Sequence, residues 1–166
     1  MSTFVLIFPL NPIGDGATFP ISQWPLHATI VPPFEIPGGH KAIANALQPI
    51  ATTIEPFTIT GHRREQFGAH RDVSVTTLLP VERLQTLHGL LSDAVESLGA
   101  APLEPQYHRQ GFAAHITDNE SDSFAIREHH HIDRLTLVDM RTEQPSDDPQ
   151  ALVTLRLGPT TRHPAK

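Results

Sequence analysis

Residues 24–34 read Trp-Pro-Leu-His-Ala-Thr-Ile-Val-Pro-Pro-Phe, an apolar run that carries two polar side chains and ends in two prolines. The positions from Leu26 to Val31 predict a buried β-strand, which the prolines should end because proline cannot donate to a β-ladder. Side chains two positions apart in a strand share a face, so His27 and Thr29 should project together while Ala28 points the opposite way. The strand should therefore present an imidazole and a hydroxyl side by side.

A second string of the same kind occurs in the other half of the chain, where residues 114–118 read Ala-His-Ile-Thr-Asp. His115 and Thr117 repeat the spacing, and they fall within a strand predicted over residues 110–117. Two such strings are about what chance gives for this composition, so the spacing alone is weak evidence. Their placement in predicted strands of opposite halves, with a helix-containing connection between them, favours a shared role and hints at a duplicated lobe.

Two imidazoles and two hydroxyls would converge on one pocket if these strands lay near each other in one sheet. In-line displacement at phosphorus needs a base for the incoming oxygen, an acid for the leaving oxygen, and donors that hold the non-bridging oxygens. Histidine titrates in the range that suits both proton transfers. We therefore predict an acid–base pair of His27 and His115, supporting hydroxyls from Thr29 and Thr117, and no metal or other cofactor.

The rest of the sequence predicts an α+β fold in which strands and amphipathic helices alternate. Strands are predicted over residues 3–8, 57–60, 73–79, 132–140 and 151–157, with a polar connection at 61–72 and a turn at 145–149. A first helix should follow Gly38-Gly39 and end before Pro49, since proline disrupts a helix interior. The clearest helix runs from Val81 to Leu98, with Gly99 in the stop position.

Length, charge and composition limit the classes of protein that this chain can be. Its 166 residues suit one domain, over residues 1–157, with a C-terminal tail at 158–166. The net charge of −6 argues against a duplex-binding face, and the absence of cysteine excludes disulfides and thiolate metal sites. The apolar opening Phe4–Phe8 follows no basic residue and precedes two prolines, so we expect neither a signal peptide nor a membrane span. We expect a cytoplasmic monomer.

The string at residues 24–34 resembles the first motif of the 2H phosphoesterases, which include 2′-5′ RNA ligase-like proteins and cyclic phosphodiesterases. Phe67-Gly68, the strand at 72–79, the long helix and residues 112–117 follow in the same family order, so the resemblance covers about residues 3–157. It implies a bilobal, pseudo-symmetric α+β fold, mainly antiparallel sheets around a central cleft with helices packed outside, and catalysis without metal. The chain departs from the family where Asp118, Asn119 and Glu120 place negative charge after the second motif.

Residues around the two motifs are candidates for contacting a substrate. Tyr107, His108 and Arg109 precede the second strand, where they could bind a phosphate or a base. Aromatic rings can stack on nucleobases, and this role is open to Trp24, Phe34 and Phe67. Polar stretches at 61–64 and 69–71 could supply a basic rim, although a solvated loop is the simpler interpretation.

The favoured function is a metal-independent phosphodiesterase acting on 2′,3′-cyclic phosphates or 2′,5′-linked nucleotides, with a small nucleotide or RNA end as its partner. Ligation of 2′-5′ RNA and hydrolysis of cyclic oligonucleotides would use the same four side chains. A non-catalytic module that binds nucleotides or RNA ends remains an alternative. A further alternative is a metal protein, because His129 and His131 would share a face of an extended segment, although a solvated turn is favoured there.

Overall fold

The computed structural model describes residues 2–141 and 148–159, so most of the predicted turn at 145–149 and of the tail at 158–166 lies outside the described residues. The helices are α1 (His40–Ala51) and α2 (Val81–Glu96). The strands, in chain order, are β1 (Ser2–Pro9), β2 (His27–Ile36), β3 (Phe57–Phe67), β4 (Val73–Leu79), β5 (Ala101–Pro102), β6 (His115–Thr117), β7 (His129–Ile132), β8 (Arg134–Asp139) and β9 (Gln150–Arg156).

In the described part of the chain, the strands form one curled sheet in the order β7-β3-β4-β6-β2-β1-β8-β9, with β5 paired to β2 at the side. Every pairing in this sheet is antiparallel. The two motif strands, β2 and β6, are direct neighbours at its centre, and three further strands extend outward from each. The predicted α+β, mainly antiparallel fold is confirmed, with the motif strands adjacent in a single sheet.

The two faces of the sheet have different partners. Along β1, Phe4, Leu6 and Phe8 belong to the large core cluster that also contains the apolar faces of both helices. Val5 and Ile7 point the other way, into a smaller cluster that Trp24 and Met140 partly cover. Burying each large apolar side chain contributes roughly 1.5–3 kcal/mol, so the helix-covered face supplies most of the stability. The opposite face is left with less cover, and the motif histidines lie there.

Strand β2 continues through Pro32 and Pro33 to Ile36, whereas the sequence predicted that these prolines end it. The register with β1 shifts at this point, since Leu6 pairs with Val31 but Phe4 pairs with Phe34. A bulge leaves residues out of the regular ladder, so prolines lacking an N–H are tolerated there.

Other element boundaries also differ from the sequence-based expectation. Helix α1 includes Pro49 and ends at Ala51, which is fully buried, so only its last turn has to accommodate the proline. Strand β3 extends to Phe67, because it pairs with β4 along most of the stretch that was predicted as a polar connection. Strand β6 has only three residues, because a 3₁₀ turn occupies residues 109–111. Helix α2 ends two residues before Leu98, and Gly99 has a φ of +97°, as expected of a helix stop.

The histidine-rich segment forms strand β7, where a solvated turn was predicted. It pairs with residues 57–60 of β3, at one edge of the sheet. His129 Nδ1 hydrogen-bonds with the Thr60 hydroxyl at 2.8 Å, and His130 Nε2 donates to the Leu10 carbonyl.

Neither helix in the described ranges has the length and apolar character that crossing a bilayer requires.

Candidate active site

The two His-x-Thr strings are brought together by the pairing of β2 with β6. Ala28 pairs with Ile116, and both are buried on the helix-covered face. Continuing this antiparallel register places His27 opposite Thr117 and Thr29 opposite His115, all on the other face of the sheet. Directly opposed residues have Cβ atoms about 4.5–5.5 Å apart. Each imidazole therefore stands across from the hydroxyl of the other string.

Both motif histidines are held by the same local hydrogen bond. Nδ1 of His27 lies 2.8 Å from the Pro25 carbonyl oxygen, and Nδ1 of His115 lies 2.7 Å from that of Ala113. A carbonyl oxygen only accepts, so Nδ1 carries the proton in each ring. In each neutral ring, Nε2 is therefore the nitrogen left with a lone pair. The two strings thus present chemically equivalent imidazoles in a fixed tautomer.

The environment favours the neutral form of both imidazoles. The pKa of His27 is lowered to about 4, mainly by burial and in part by repulsion from His115, against the raising effect of the Pro25 carbonyl. Burial also lowers the pKa of His115, and the Ala113 carbonyl opposes that shift. Repulsion from His115 contributes to the lowered pKa of His27, so the two rings lie close enough for charge on one to disfavour charge on the other. A bound anion would raise the pKa values of the histidines, because negative charge stabilises the imidazolium.

The site opens as a cleft of about 240 Å³ on this face of the sheet. Its polar wall includes His27, Thr29 and Thr117, whose two hydroxyls make no hydrogen bond to another described residue. Apolar and loop residues complete the lining: Val5, Ile21, Trp24, Pro33, Asp118, Asn119 and Met140. His115 stands at the margin of this cleft, across from Thr29. Free hydroxyls beside an imidazole that can take up a proton are suited to an oxyanion.

Two aromatic rings flank the histidines. The Trp24 ring packs on His27 with centroids 4.5 Å apart, and it also contacts Phe19. The Phe67 ring meets His115 edge-on at 4.8 Å. Each imidazole therefore has an aromatic neighbour that restricts its rotation and excludes water. Trp24 and Phe67 are placed where a base could stack, but both already contact a histidine.

The three polar residues after the second string make specific contacts, and the charge of Asp118 is offset. Both Asp118 oxygens accept from the Arg64 guanidinium, at 2.7 and 2.6 Å. A bidentate pair of this kind offsets the carboxylate charge next to the cleft. Asn119 donates to the Trp24 carbonyl at 3.0 Å, and the Glu120 amide donates to that of Ser22 at 3.1 Å. The loop after β6 therefore fastens the first string to the second.

The other predicted substrate contacts lie elsewhere. Phe34 is 1% exposed and packs against Phe4, so the structure corrects its assignment from base stacking to the core. Neither Tyr107, which is exposed, nor His108, which is buried, lines the cleft. Arg109 is also outside the cleft, because its guanidinium pairs with Asp93 at 2.8 Å and Glu96 at 2.7 Å on α2.

A buried histidine that the sequence analysis did not single out connects both motif segments. His88 on α2 donates from Nδ1 to the Ile30 carbonyl at 2.7 Å and accepts the Arg109 amide at Nε2, at 2.9 Å. Its ring stacks on Phe112 with centroids 4.1 Å apart. Burial lowers the pKa of His88, which keeps Nε2 free to accept. The only sequence signal was a histidine on the apolar face of a helix, which does not reveal its partners.

Arg64 and Asn119 were also missed as residues that shape the site. Arg64 belonged to a polar run interpreted as loop, and its partner Asp118 lies 54 positions away. Asn119 looked like a departure from the family pattern. No spacing rule links positions this distant.

Among the described residues, no group of three histidine, aspartate or glutamate side chains lies close enough to hold a metal ion. His129 and His131 share a face of β7 without a third ligand in that part of the chain. The metal-protein alternative gains no support from this arrangement.

Comparisons with known proteins agree with the geometry. The family model described as the 2′-5′ RNA ligase superfamily matches residues 15–139, which include both His-x-Thr strings. The chain belongs to this superfamily. Membership supports a phosphoesterase-type activity for this chain. A sequence search of curated proteins found no match.

Solved structures share the fold of this superfamily member at low sequence identity. The protein TT0787 of Thermus thermophilus is 18% identical with a TM-score of 0.60, covering 97% of this chain and 100% of that one. A structure described as a phosphoesterase is 15% identical, with a TM-score of 0.59 and coverage of 95% and 99%. E. coli LigT complexed with NADP+ is 17% identical, with a TM-score of 0.57 and coverage of 95% and 98%.

Proton uptake on anion binding follows from the lowered histidine pKa values. Sulfate, which stays dianionic across this pH range, should raise the His27 pKa above about 4 when it binds. The bound protein then carries more protons than the free protein, so affinity should strengthen as pH falls from about 7 and level off below the free pKa. Calorimetry at about pH 6 in buffers of different ionisation enthalpy should show net proton uptake. His27→Asn should take up fewer protons, and equal uptake would contradict the linkage.

Proposed function

We propose that this chain is a metal-independent phosphodiesterase that cleaves 2′,3′-cyclic phosphates or 2′,5′-linked nucleotides with His27 and His115 as its acid–base pair. The observation that carries the proposal is the cross-strand arrangement of the two strings, in which each imidazole faces a free hydroxyl. Superfamily membership and the structural likeness to a phosphoesterase support the same class of chemistry.

The reaction on a cyclic phosphate assigns one role to each group. The neutral imidazole accepts a proton from water at Nε2 as the water oxygen bonds to phosphorus. The protonated imidazole gives its Nε2 proton to the ribose oxygen as the bond from phosphorus to that oxygen breaks. The hydroxyls of Thr29 and Thr117 donate to the non-bridging oxygens, where negative charge builds in the transition state. The free site favours the neutral form of both imidazoles. The negative charge of the bound substrate then favours protonation of one of them.

Two observations support this class of substrate. The cleft combines the polar His-x-Thr wall with an apolar part formed by Val5, Ile21 and Met140, which suits a phosphate attached to a ribose and a base. LigT, a fold relative, has been solved in complex with 3′-AMP. A nucleotide whose phosphate lies at the histidine end of the cleft is consistent with both observations.

Turnover should survive excess EDTA and give one product isomer. The two imidazoles supply both proton transfers, so no metal-activated water is required. Water must enter opposite the bond that breaks, so histidines fixed on either side of phosphorus let only one ribose oxygen leave. Resemblance to the family's cyclic phosphodiesterases implies the 2′-phosphate. A phosphorus NMR time course of 2′,3′-cyclic AMP in EDTA measures both outcomes.

A metal-dependent phosphodiesterase treated in parallel serves as the control for chelation. Loss of all turnover in EDTA would favour a metal site, and a mixture of 2′ and 3′ products would refute the fixed in-line geometry. If 2′,3′-cyclic nucleotides, 2′,5′-oligoadenylate and cyclic dinucleotides all bind without reacting, the nucleotide-binding module becomes the better assignment.

A further inference from the structure

A second cavity of about 250 Å³ lies beside the segment that leads into β6. It is formed where β3, β4 and the start of α2 meet that segment. Its lining residues are His62, Arg63, Glu65, Thr77, Leu78, Val81, Leu84, Gln85, Phe112, Ala113 and Ala114. None of these residues lines the cleft that contains His27.

This second cavity adjoins His115. Thr77, on its wall, pairs directly with His115 in the antiparallel register, and paired residues share a face of the sheet. Ala113, also on its wall, supplies the carbonyl that accepts the His115 Nδ1 proton. His115 lines neither cavity, but in the sheet it lies between Thr77 of the second cavity and Thr29 of the first cleft.

A bulge in β3 directs polar side chains to this position. The register with β4 shifts between Gly61 and Arg64, which leaves His62 and Arg63 outside the regular ladder. The Thr77 hydroxyl accepts the Arg63 amide at 3.2 Å and lies 3.3 Å from the Arg63 carbonyl, so the bulged backbone is fixed. Bulges commonly re-aim side chains next to functional sites.

The bulge is also held from behind by the turn at residues 125–128. Gly61 donates to the Glu128 carbonyl at 2.9 Å and accepts from the Arg127 amide at 2.8 Å. A Cβ at Gly61 would collide with the Ala125 carbonyl, so only glycine fits this approach. The cavity wall is therefore built rigidly into the sheet.

The chemistry of the second cavity suits a nucleotide. The Arg63 guanidinium makes no hydrogen bond or ion pair with any residue in the described ranges, whereas the neighbouring Arg64 is fully engaged by Asp118. Glu65 is the one carboxylate on the wall. Val81 is 60% exposed and lies with Phe112 on the apolar part. An unpaired cation beside an apolar surface can hold a phosphate and cover a base or ribose.

We propose that the second cavity binds the next nucleotide of a 2′,5′-linked oligonucleotide, on the far side of the scissile phosphate from the unit in the first cleft. Arg63 is its phosphate-binding residue. The inference rests on the proposed function and deepens it by naming the substrate as a single-stranded chain with one nucleotide unit in each cavity. The similar volumes, about 240 and 250 Å³, suit successive units of one polymer.

Two substrates distinguish this proposal from a site for mononucleotides alone. The 2′,3′-cyclic AMP fills only the first cleft, whereas a 2′,5′-linked adenylate trimer reaches both cavities. Arg63→Ala should lower kcat/KM for the trimer about 10-fold, the scale of one lost charge-assisted phosphate contact, and change it less than about 2-fold for the cyclic nucleotide. Val81→Asp, which adds a negative charge at an exposed position of the same wall, should produce the same selective loss.

Arg156→Ala is the matched control, because it removes an exposed arginine from β9 at the opposite edge of the sheet. It should leave both substrates unaffected. Equal effects of Arg63→Ala on both substrates, or no effect on the trimer, would overturn the second site while the proposed function stands. If the wild-type chain cleaves neither substrate, the proposed function fails. The second site is then tested by binding alone, with fluorescence anisotropy of a 2′,5′-linked trimer that lacks 3′ hydroxyls. If wild type and Arg63→Ala bind this trimer with the same Kd, the second site is overturned.

Discussion

Alanine at His27 or at His115 should lower turnover of a 2′,3′-cyclic phosphate about 100-fold or more, the usual contribution of a positioned general acid or base. Each substitution removes one of the two imidazoles proposed to transfer protons, while the other imidazole stays held by its own carbonyl partner. Single-turnover rates at saturating substrate measure the loss directly. The pH–rate profile of the wild type should be bell-shaped, with both limbs belonging to the coupled pair.

Controls must separate loss of chemistry from loss of structure. Both histidines pack against aromatic rings, so circular dichroism and thermal melting of each variant should accompany the kinetics. His131→Ala removes an exposed imidazole from the sheet edge and should retain full activity. Wild-type turnover in a folded His27→Ala or His115→Ala variant would refute the acid–base assignment.

Valine at Thr29 or at Thr117 should lower kcat at least about 10-fold while KM changes little. Valine keeps the β-branched shape and removes the hydroxyl, which strengthens its contact only as charge develops on the phosphate oxygens. Steady-state kinetics of each variant, with Thr→Ser as the milder replacement, measure the split between kcat and KM.

The matched control is Thr58→Val, at an exposed position of β3 outside both cavities. Its kcat should equal that of the wild type. If both motif valine variants retain kcat, these threonines serve only as strand-forming residues.

The residues that alternate strictly along a strand were the ones whose placement the sequence predicted. His27 and Thr29 project from one face of β2, while Ala28 is buried on the other, because the two-residue period of a strand leaves no other choice. The stop at Gly99 was predictable for a similar local reason. The family resemblance added the order of the elements, which the periodicity alone would not have supplied.

The missed features depend on contacts between distant parts of the chain. Pro32 and Pro33 remain within β2 because the bulge with β1 removes the need for their N–H groups, and that register is a tertiary property. Arg109 was a candidate phosphate ligand by its position before the second string, yet two α2 carboxylates engage it. Arg64 was not singled out as a candidate, yet it shapes the site. Its partner Asp118 comes close only when β6 pairs with β4, which the sequence does not reveal.

The imidazole of His88 limits which amino acids can replace it at this position of α2. Its two nitrogens hold the backbone of the first motif strand at Ile30 and the turn before the second at Arg109. Neither asparagine nor glutamine reproduces a donor and an acceptor at the two ends of a flat, stacked ring. Tolerance to substitution in this chain therefore need not follow distance from the cleft, and a helix position with no substrate contact can be as constrained as the strands that it connects.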